Sequence, residues 1–327
     1  MRCIIHKNTD PYFNIATDEF IFKHIEEDCF MLWQNDNAII VGKHQNALAE
    51  INVDYVREKG IHVVRRLSGG GAVYHDMGNL NFSFTHRGND PSQMVDFRRY
   101  TAPIIEVLND LGVDARFEGR NDLMIDGKKF SGNAEHVIGN KVLHHGTLLF
   151  ASEMRDISGA LKINPLKYQD KAVKSIPKRV TNIKDHLKSP LTLGAFRNRI
   201  LEHVLNSFPG AYLYEFTTDD LAKIQRIRDE KYATWEWNFG YSPQYDFQQT
   251  VRTPGGTLEI HMNVKEGAIR EIRFLGDFFH IAPIEEFQEA LVGCPHEESA
   301  LRIRLNELNP KRFFKDISTE DMLPAMF

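Results

Sequence analysis

Apolar residues in the first half of the chain fall in short blocks. Residues 2–6, 30–33, 38–41, 62–66, 71–74 and 80–85 are each too brief for a helix and rich in β-formers, so each predicts a strand. Two longer stretches behave differently. Residues 14–25 place Ile15, Phe20, Ile21 and Ile25 at helical spacings, and residues 100–111 do the same with Ile104, Ile105, Leu108 and Leu111. Helices therefore separate only some of the strands, which predicts a mixed, largely antiparallel sheet with helices beside it rather than a doubly wound parallel one. Asp126-Gly127, between strand formers at 122–125 and from Lys129 onward, is a favoured two-residue turn and predicts a hairpin. Residues 145–150 add another strand.

From Leu191 the pattern turns helical over 193–208, with Thr192 as the cap, and over 219–233. An aromatic segment follows at 235–245. The loop formers Gly240, Ser242 and Pro243, with a fresh strand pattern after them, predict a boundary near Tyr245. Beyond it, residues 257–264 and 268–274 read as a hairpin about Glu266-Gly267, with helices at 284–291 and 297–308. The expected fold class is α/β of the α+β type: a domain over 1–245 and a second, smaller α+β domain over 246–327. A chain of 327 residues suits two cores better than one.

Composition narrows the partners. Apolar residues make up 42% and the net charge is -5, so no general basic field recommends nucleic acid. Acidic Asp10, Asp18 and Glu19 stand where a secretory signal needs an apolar core, and no apolar run is long enough to span a bilayer, so a cytoplasmic protein with no membrane partner is expected. The three cysteines, Cys3, Cys29 and Cys294, are odd in number and widely spaced, as reduced buried thiols are.

Candidate chemistry concentrates in Arg65-Arg66-Leu67-Ser68-Gly69-Gly70-Gly71-Ala72-Val73-Tyr74-His75-Asp76. Arginine forks beside glycines that admit close backbone approach suit an anion clamp; the same run also suits a tight turn with solvated arginines. The common nucleotide-loop patterns do not fit. Gly127-Lys128 is followed by Lys129, and Tyr74 stands where a dinucleotide fingerprint needs glycine. Further along, Asp122 on one arm of the 122–129 hairpin can face a lysine on the other and keep it charged. His144 and His145 open an apolar strand and must point to opposite faces, so at most one lines a given pocket.

Residues 65–83, 118–134, 143–150 and Arg179-Val180-Thr181-Asn182-Ile183, in this order, together resemble the lipoate-protein ligases, relatives of biotin-protein ligase. The string from Arg65 to Asn79 is the most specific part, and the tail resembles the accessory domain of the longer bacterial members. The resemblance implies ATP-dependent activation of lipoate to lipoyl-AMP, then transfer to a lysine of a lipoyl domain, on E2 subunits of 2-oxoacid dehydrogenases or glycine-cleavage carrier protein. It implies that Lys129 bridges the lipoate carboxyl and the α-phosphate, and that Arg66 holds phosphate oxygens. Gly71, Ala72, Val73 and Tyr74 would run along the nucleotide, and Ser68, Gly70 and His145 would lie near the lipoyl group. Asp122 would orient Lys129 or help to hold Mg2+ arriving with ATP, no dedicated metal site being expected. The acyl tail asks for an apolar tunnel, for which Trp33, Val41 and Leu67 are candidates, and family members are often monomeric. Three rivals stand beside this reading: an octanoyl or lipoyl transferase working through a cysteine without ATP, a biotin ligase, and a non-catalytic nucleotide-binding module.

Overall fold

The computed structural model describes residues 1–90, 94–119, 121–153, 159–161, 168–170, 180–278 and 281–327. Arg120 and Arg179 of the motifs above lie outside the described residues. The chain divides into two compact units, one of Met1–Lys43, Gly60–Gly159 and Ser175–Ala233, the other of His44–Lys59, Ala160–Lys174 and Thr234–Phe327. The second unit thus starts ahead of Tyr245 and also takes in earlier chain, which the linear boundary expected from loop signals did not include.

In the first unit the strands are β1 (Arg2–Ile5), β2 (Cys29–Trp33), β3 (Ala38–Val41), β4 (His62–Arg65), β5 (Val73–His75), β6 (Asn79–Arg87), β7 (Ala115–Glu118), β8 (Asp122–Ile125), β9 (Lys128–Ile138), β10 (Lys141–Leu149) and, past the second unit's β11 (Tyr168–Asp170), β12 (Tyr212–Leu213). Eight of them form one sheet in the order β12-β1-β2-β6-β10-β9-β8-β7, and β4-β3-β5 form a small second sheet. Among these strands the β12-β1-β2 edge and the β3-β4 pair are parallel and the other described pairs antiparallel, so the expected mixed, largely antiparallel sheet is what the chain forms. Helix α1 (Pro11–His24) starts at Asp10, whose side chain accepts from Tyr12 N, with Pro11 supplying the first helical φ. After the second unit's α2 (Ala47–Glu50) and α3 (Val53–Lys59) come α4 (Phe97–Asp110), α5 (Leu193–Ser207), capped by Thr192, and α6 (Thr218–Ile227). One core gathers Phe30, Leu80, Phe82 and Phe84 of the sheet with Tyr100 and Ile104 of α4 and Phe196 and Ile200 of α5.

The helix expected over 219–233 ends as an α-helix at Ile227 and continues as a π-turn, Arg228–Tyr232. Such an insertion re-aims the side chains that follow it. Lys231 Nζ and the Tyr232 hydroxyl both reach Glu19 of α1, which also meets Lys23. Burial would raise the Glu19 carboxyl, but these three hydrogen bonds outweigh it and hold the group below its usual range.

The second unit's sheet orders β11 with β13 (Tyr245–Thr253), β14 (Gly256–Lys265) and β15 (Ala268–Phe278), all antiparallel. Helices α7 (Ile284–Leu291) and α8 (Glu298–Leu308) cover its apolar face through Phe287, Leu291, Leu301 and Leu305. Buried His296 donates from Nε2 to Met326 O and accepts at Nδ1 from the Tyr245 hydroxyl, tying the last residues to β13.

Candidate active site

The glycine run is a loop because Arg66 turns inward. Its Nε donates to Ser68 Oγ at 3.0 Å, Nη1 to Ile40 O at 3.0 Å, and Nη2 to Gly69 O at 2.6 Å and Gly71 O at 2.8 Å. Those carbonyls are therefore lost to strand pairing, so β4 ends at Arg65 and β5 begins only at Val73, not at Gly71 as expected. Arg65 is buried as well, its Nη1 on Gly42 O and Lys43 O. Neither guanidinium is solvated, and both lie among backbone carbonyls rather than open to an incoming anion. Burial, with the neighbouring Arg65 charge, lowers Arg66 to about 10, so it stays cationic at neutral pH.

Glycine is required at two points here. Gly70 has φ +90°, and a Cβ on Gly42 would fall 2.1 Å from Gly70 O. Residues 69–73 remain at least partly open, whereas the Tyr74 side chain is buried with its hydroxyl on Asn37 Oδ1. Trp33, Val41 and Leu67 are all buried.

Below the loop runs a buried polar chain. Trp33 Nε1 donates to Ser83 Oγ (3.0 Å), and Ser83 donates to Asp18 Oδ1 (2.7 Å). Asp18 Oδ2 accepts from His145 Nδ1 (2.8 Å), and His145 Nε2 meets Ser68 Oγ (2.5 Å), which also accepts from Arg66. Indole and guanidinium only donate and the carboxylate only accepts, so His145 donates from Nδ1 to Asp18, and Ser68 Oγ, with two lone pairs, accepts from Arg66 and keeps its own proton for a further bond. The order Asp, His, Ser is that of a nucleophilic triad. Here the serine is 1% exposed and its oxygen is already held by Arg66, so the chain positions the loop instead of presenting a nucleophile.

Lys129 sits on the same sheet face. Asp122 opposes Gly132 across β8 and β9, and Lys129 Nζ lies over Gly132, 2.9 Å from Asp122 Oδ1. Gly132 N bonds Thr147 Oγ1, two positions along β10 from His145, which makes Gly132 and His145 diagonal neighbours roughly 7–8 Å apart on the pleat. The Lys129 side chain keeps 25% exposure. Thr181 N donates to Lys129 O, which brings the 180–183 motif beside it. The structure thus joins Lys129, Asp122, His145, Ser68 and the glycine loop on one side of one sheet. A Cβ at position 132 would lie 2.7 Å from Lys129 Nζ. Gly132→Ala is expected to push the amine off Asp122 with little change in melting temperature, measured by nitrogen NMR of labelled lysine and by thermal unfolding.

Sequence reasoning missed Asp18 and Ser83 and gave His75 no role of its own. His75 Nδ1 accepts from Asn35 (3.1 Å), so its hydrogen is on Nε2, a buried donor for which no partner is found among the described residues. Burial, then the Arg66 charge, push His75 down to about 3 and keep it neutral. A signal for Asp18 existed: Asn14, Thr17, Asp18 and Glu19 leave α1 without a clean polar face, so some of them must be buried.

Residues 10–205 match the lipoyl protein ligase A/B catalytic domain and residues 242–326 the bacterial lipoate protein ligase C-terminus. The lipoate-protein ligase LplJ of Bacillus subtilis (strain 168) is 40% identical over 322 residues, 97% of each chain. Among solved structures, a lipoate protein ligase from Thermoplasma acidophilum with bound lipoic acid superposes with TM-score 0.63 at 26% identity, covering 73% of this chain and 98% of its own. A structure of the same archaeal system, described as a bi-partite ligase and its E2 lipoyl domain, gives the same TM-score and identity over 73% of this chain and 96% of that one. A lipoate-protein ligase A bound with ATP also scores 0.63 at 26% identity, over 73% and 98%. With catalytic and C-terminal family models together spanning most of its length, the chain belongs to the lipoate-protein ligases.

Proposed function

We propose that the protein condenses lipoate with ATP to lipoyl-AMP, releasing pyrophosphate, and transfers the lipoyl group to a lysine of lipoyl-domain proteins such as E2 subunits and glycine-cleavage carrier protein. The observation that carries the reading is the Lys129 ammonium held by Asp122 on the sheet face shared with His145 and Ser68. Attack of a carboxylate on the α-phosphate brings two anions together, and one fixed cation between them stabilises the transition state more than the separated reactants. In this proposal residues 69–73 follow the nucleotide through their open backbone, Ser68, Gly70 and His145 lie against the lipoyl end, and residues 1–245 carry adenylation with 246–327 as accessory domain.

No group of three or more His, Cys, Asp or Glu suited to a metal occurs among the described residues. Mg2+ would therefore arrive on the triphosphate with its waters, with Asp122 the nearest carboxylate, as suits an ion that seldom uses an all-protein cage. The cysteines speak against a thioester route. Burial raises Cys3 to about 11 and Cys29 to about 12, and it raises Cys294 as well, leaving thiols that are poor nucleophiles.

Radioactive pyrophosphate is expected to exchange into ATP only when lipoate is present. A lipoyl-domain substrate should then gain the lipoyl mass in an ATP-dependent manner. Mass gain from an acylated carrier without ATP would establish the transferase instead, and biotin outcompeting lipoate would redirect the reading to biotin ligation.

A further inference from the structure

On the sheet face opposite Lys129 lies a second buried polar chain. Glu135 Oε1 is 3.0 Å from His144 Nδ1, and His144 Nε2 is 3.3 Å from Asn133 Oδ1. Asn133 Nδ2 donates to Asn121 O (3.1 Å) and Ser131 Oγ (3.2 Å), and Asn121 Nδ2 returns a bond to Asn133 O (2.6 Å). This reciprocal clamp closes the entry to β8 one residue before Asp122. Gly146 opposes Asn133 directly, and a Cβ there would fall 2.1 Å from Asn133 Oδ1, so the carboxamide occupies the space a side chain would take.

The proton inventory of the chain is forced. A backbone carbonyl only accepts, so the Asn133 nitrogen faces Asn121 and its oxygen faces His144. That oxygen needs a hydrogen on His144 Nε2. Burial, reinforced by His145, holds the His144 ring neutral, so Nδ1 presents a lone pair to Glu135. Two acceptors 3.0 Å apart require a proton on the carboxyl. Burial raises Glu135 to about 7, opposed by the nearby Asp96 backbone amide and aided by the Asp96 charge. The titratable groups facing the pair are Asp96 and Tyr100, from the start of α4, and His145 on β10; the rings of Phe82 and Phe97 close the rest.

We propose that Glu135 and His144 are positioning residues for the ligase site, a one-proton latch that fixes Asn133 and, through Asn121, the strand bearing Asp122. With the proton in place, His144 holds Asn133 and the clamp is shut. When the proton leaves, the carboxylate is satisfied only if the ring moves its hydrogen to Nδ1. Nε2 is then bare against Asn133 Oδ1, and the clamp loosens. The effect on turnover rests on the ligase reading, whereas the latch itself does not.

Glu135→Gln supplies a permanent N–H to His144 Nδ1 and should lock the latch. In the wild-type chain, nitrogen NMR of labelled histidine should show His144 passing from the Nε2–H to the Nδ1–H tautomer with a midpoint near pH 7. Melting temperature should fall from about pH 4.5, where the unfolded chain loses a proton that the folded state keeps, to about pH 7, and level off above it. Adenylate formation should decline by up to about tenfold per pH unit above the midpoint, the slope of a single ionisation. The Glu135→Gln variant should be flat in all three. A wild-type tautomer unchanged from pH 5 to 9, or a variant that keeps the wild-type midpoint, would overturn the latch. A tautomer switch with no matching decline in adenylate formation would overturn the positioning role. A wild-type chain making no adenylate at any pH would overturn the ligase reading, and the tautomer and melting data would still judge the latch.

Discussion

Lys129→Ala should lower the rate of lipoyl-AMP formation by two to three orders of magnitude while leaving the fold nearly intact. At an effective dielectric of about 20, a unit charge about 4 Å from developing negative charge contributes on the order of 4 kcal/mol, close to three decades of rate. The structural cost is smaller. The lysine side chain is a quarter exposed and its tip fills no core, so the main loss on folding is the partner of the nearly buried Asp122. Single-turnover adenylate formation at saturating ATP and lipoate separates the two effects. Asp122→Asn serves as the control: it leaves the cation but frees its position, so its defect should be smaller than that of Lys129→Ala. A Lys129→Ala rate within about tenfold of wild type would remove the central cation from the mechanism.

The sheet was legible because its strands announce themselves by composition. Blocks such as Phe30–Trp33 and Ala38–Val41 and the Asp126-Gly127 turn appear within a residue or two of their expected places. What misled was local pattern overruled by one side chain. Residues 71–74 read as strand, yet Arg66 captures the Gly69 and Gly71 carbonyls that a strand would use. Residues 219–233 read as one helix, yet the pull of Glu19 on Lys231 and Tyr232 is accompanied by a π-turn.

The site was legible to the extent that its residues lie in contiguous motifs. Lys129, Asp122, Ser68 and His145 are close in sequence to glycines that mark unusual backbone. Asp18 lies 127 positions from His145 on a helix of unremarked pattern, and only the fold brings the two together. The arginines carried the reverse lesson. Adjacent positive charges beside glycines suggested a clamp for an external anion, but backbone carbonyls of the loop and of the neighbouring chain at Ile40 and Gly42 already take those donors.

That inward turn makes Arg66 the second decisive position. Arg66→Ala removes four hydrogen bonds, those to Ser68 Oγ and to the carbonyls of Ile40, Gly69 and Gly71. Each unmade buried bond costs about 1–3 kcal/mol, but residues 69 and 71 are open enough to be rehydrated and the repulsion from Arg65 is relieved. A net loss of about 2–4 kcal/mol follows, a melting temperature lower by roughly 5–10 °C. Binding should suffer more. Without the guanidinium the 66–72 loop loses its shape, and Ser68, which also meets His145, loses a donor. Affinities for ATP and for lipoate, measured separately by calorimetry, should each fall by about two decades. Arg66→Lys decides between shaping and direct phosphate contact. One ammonium cannot reach three divergent carbonyls and a hydroxyl, so lysine should fail to rescue either affinity if shaping is the role. Recovery of ATP affinity by lysine, with the melting temperature still depressed, would instead make Arg66 a phosphate ligand that leaves its carbonyls when nucleotide binds.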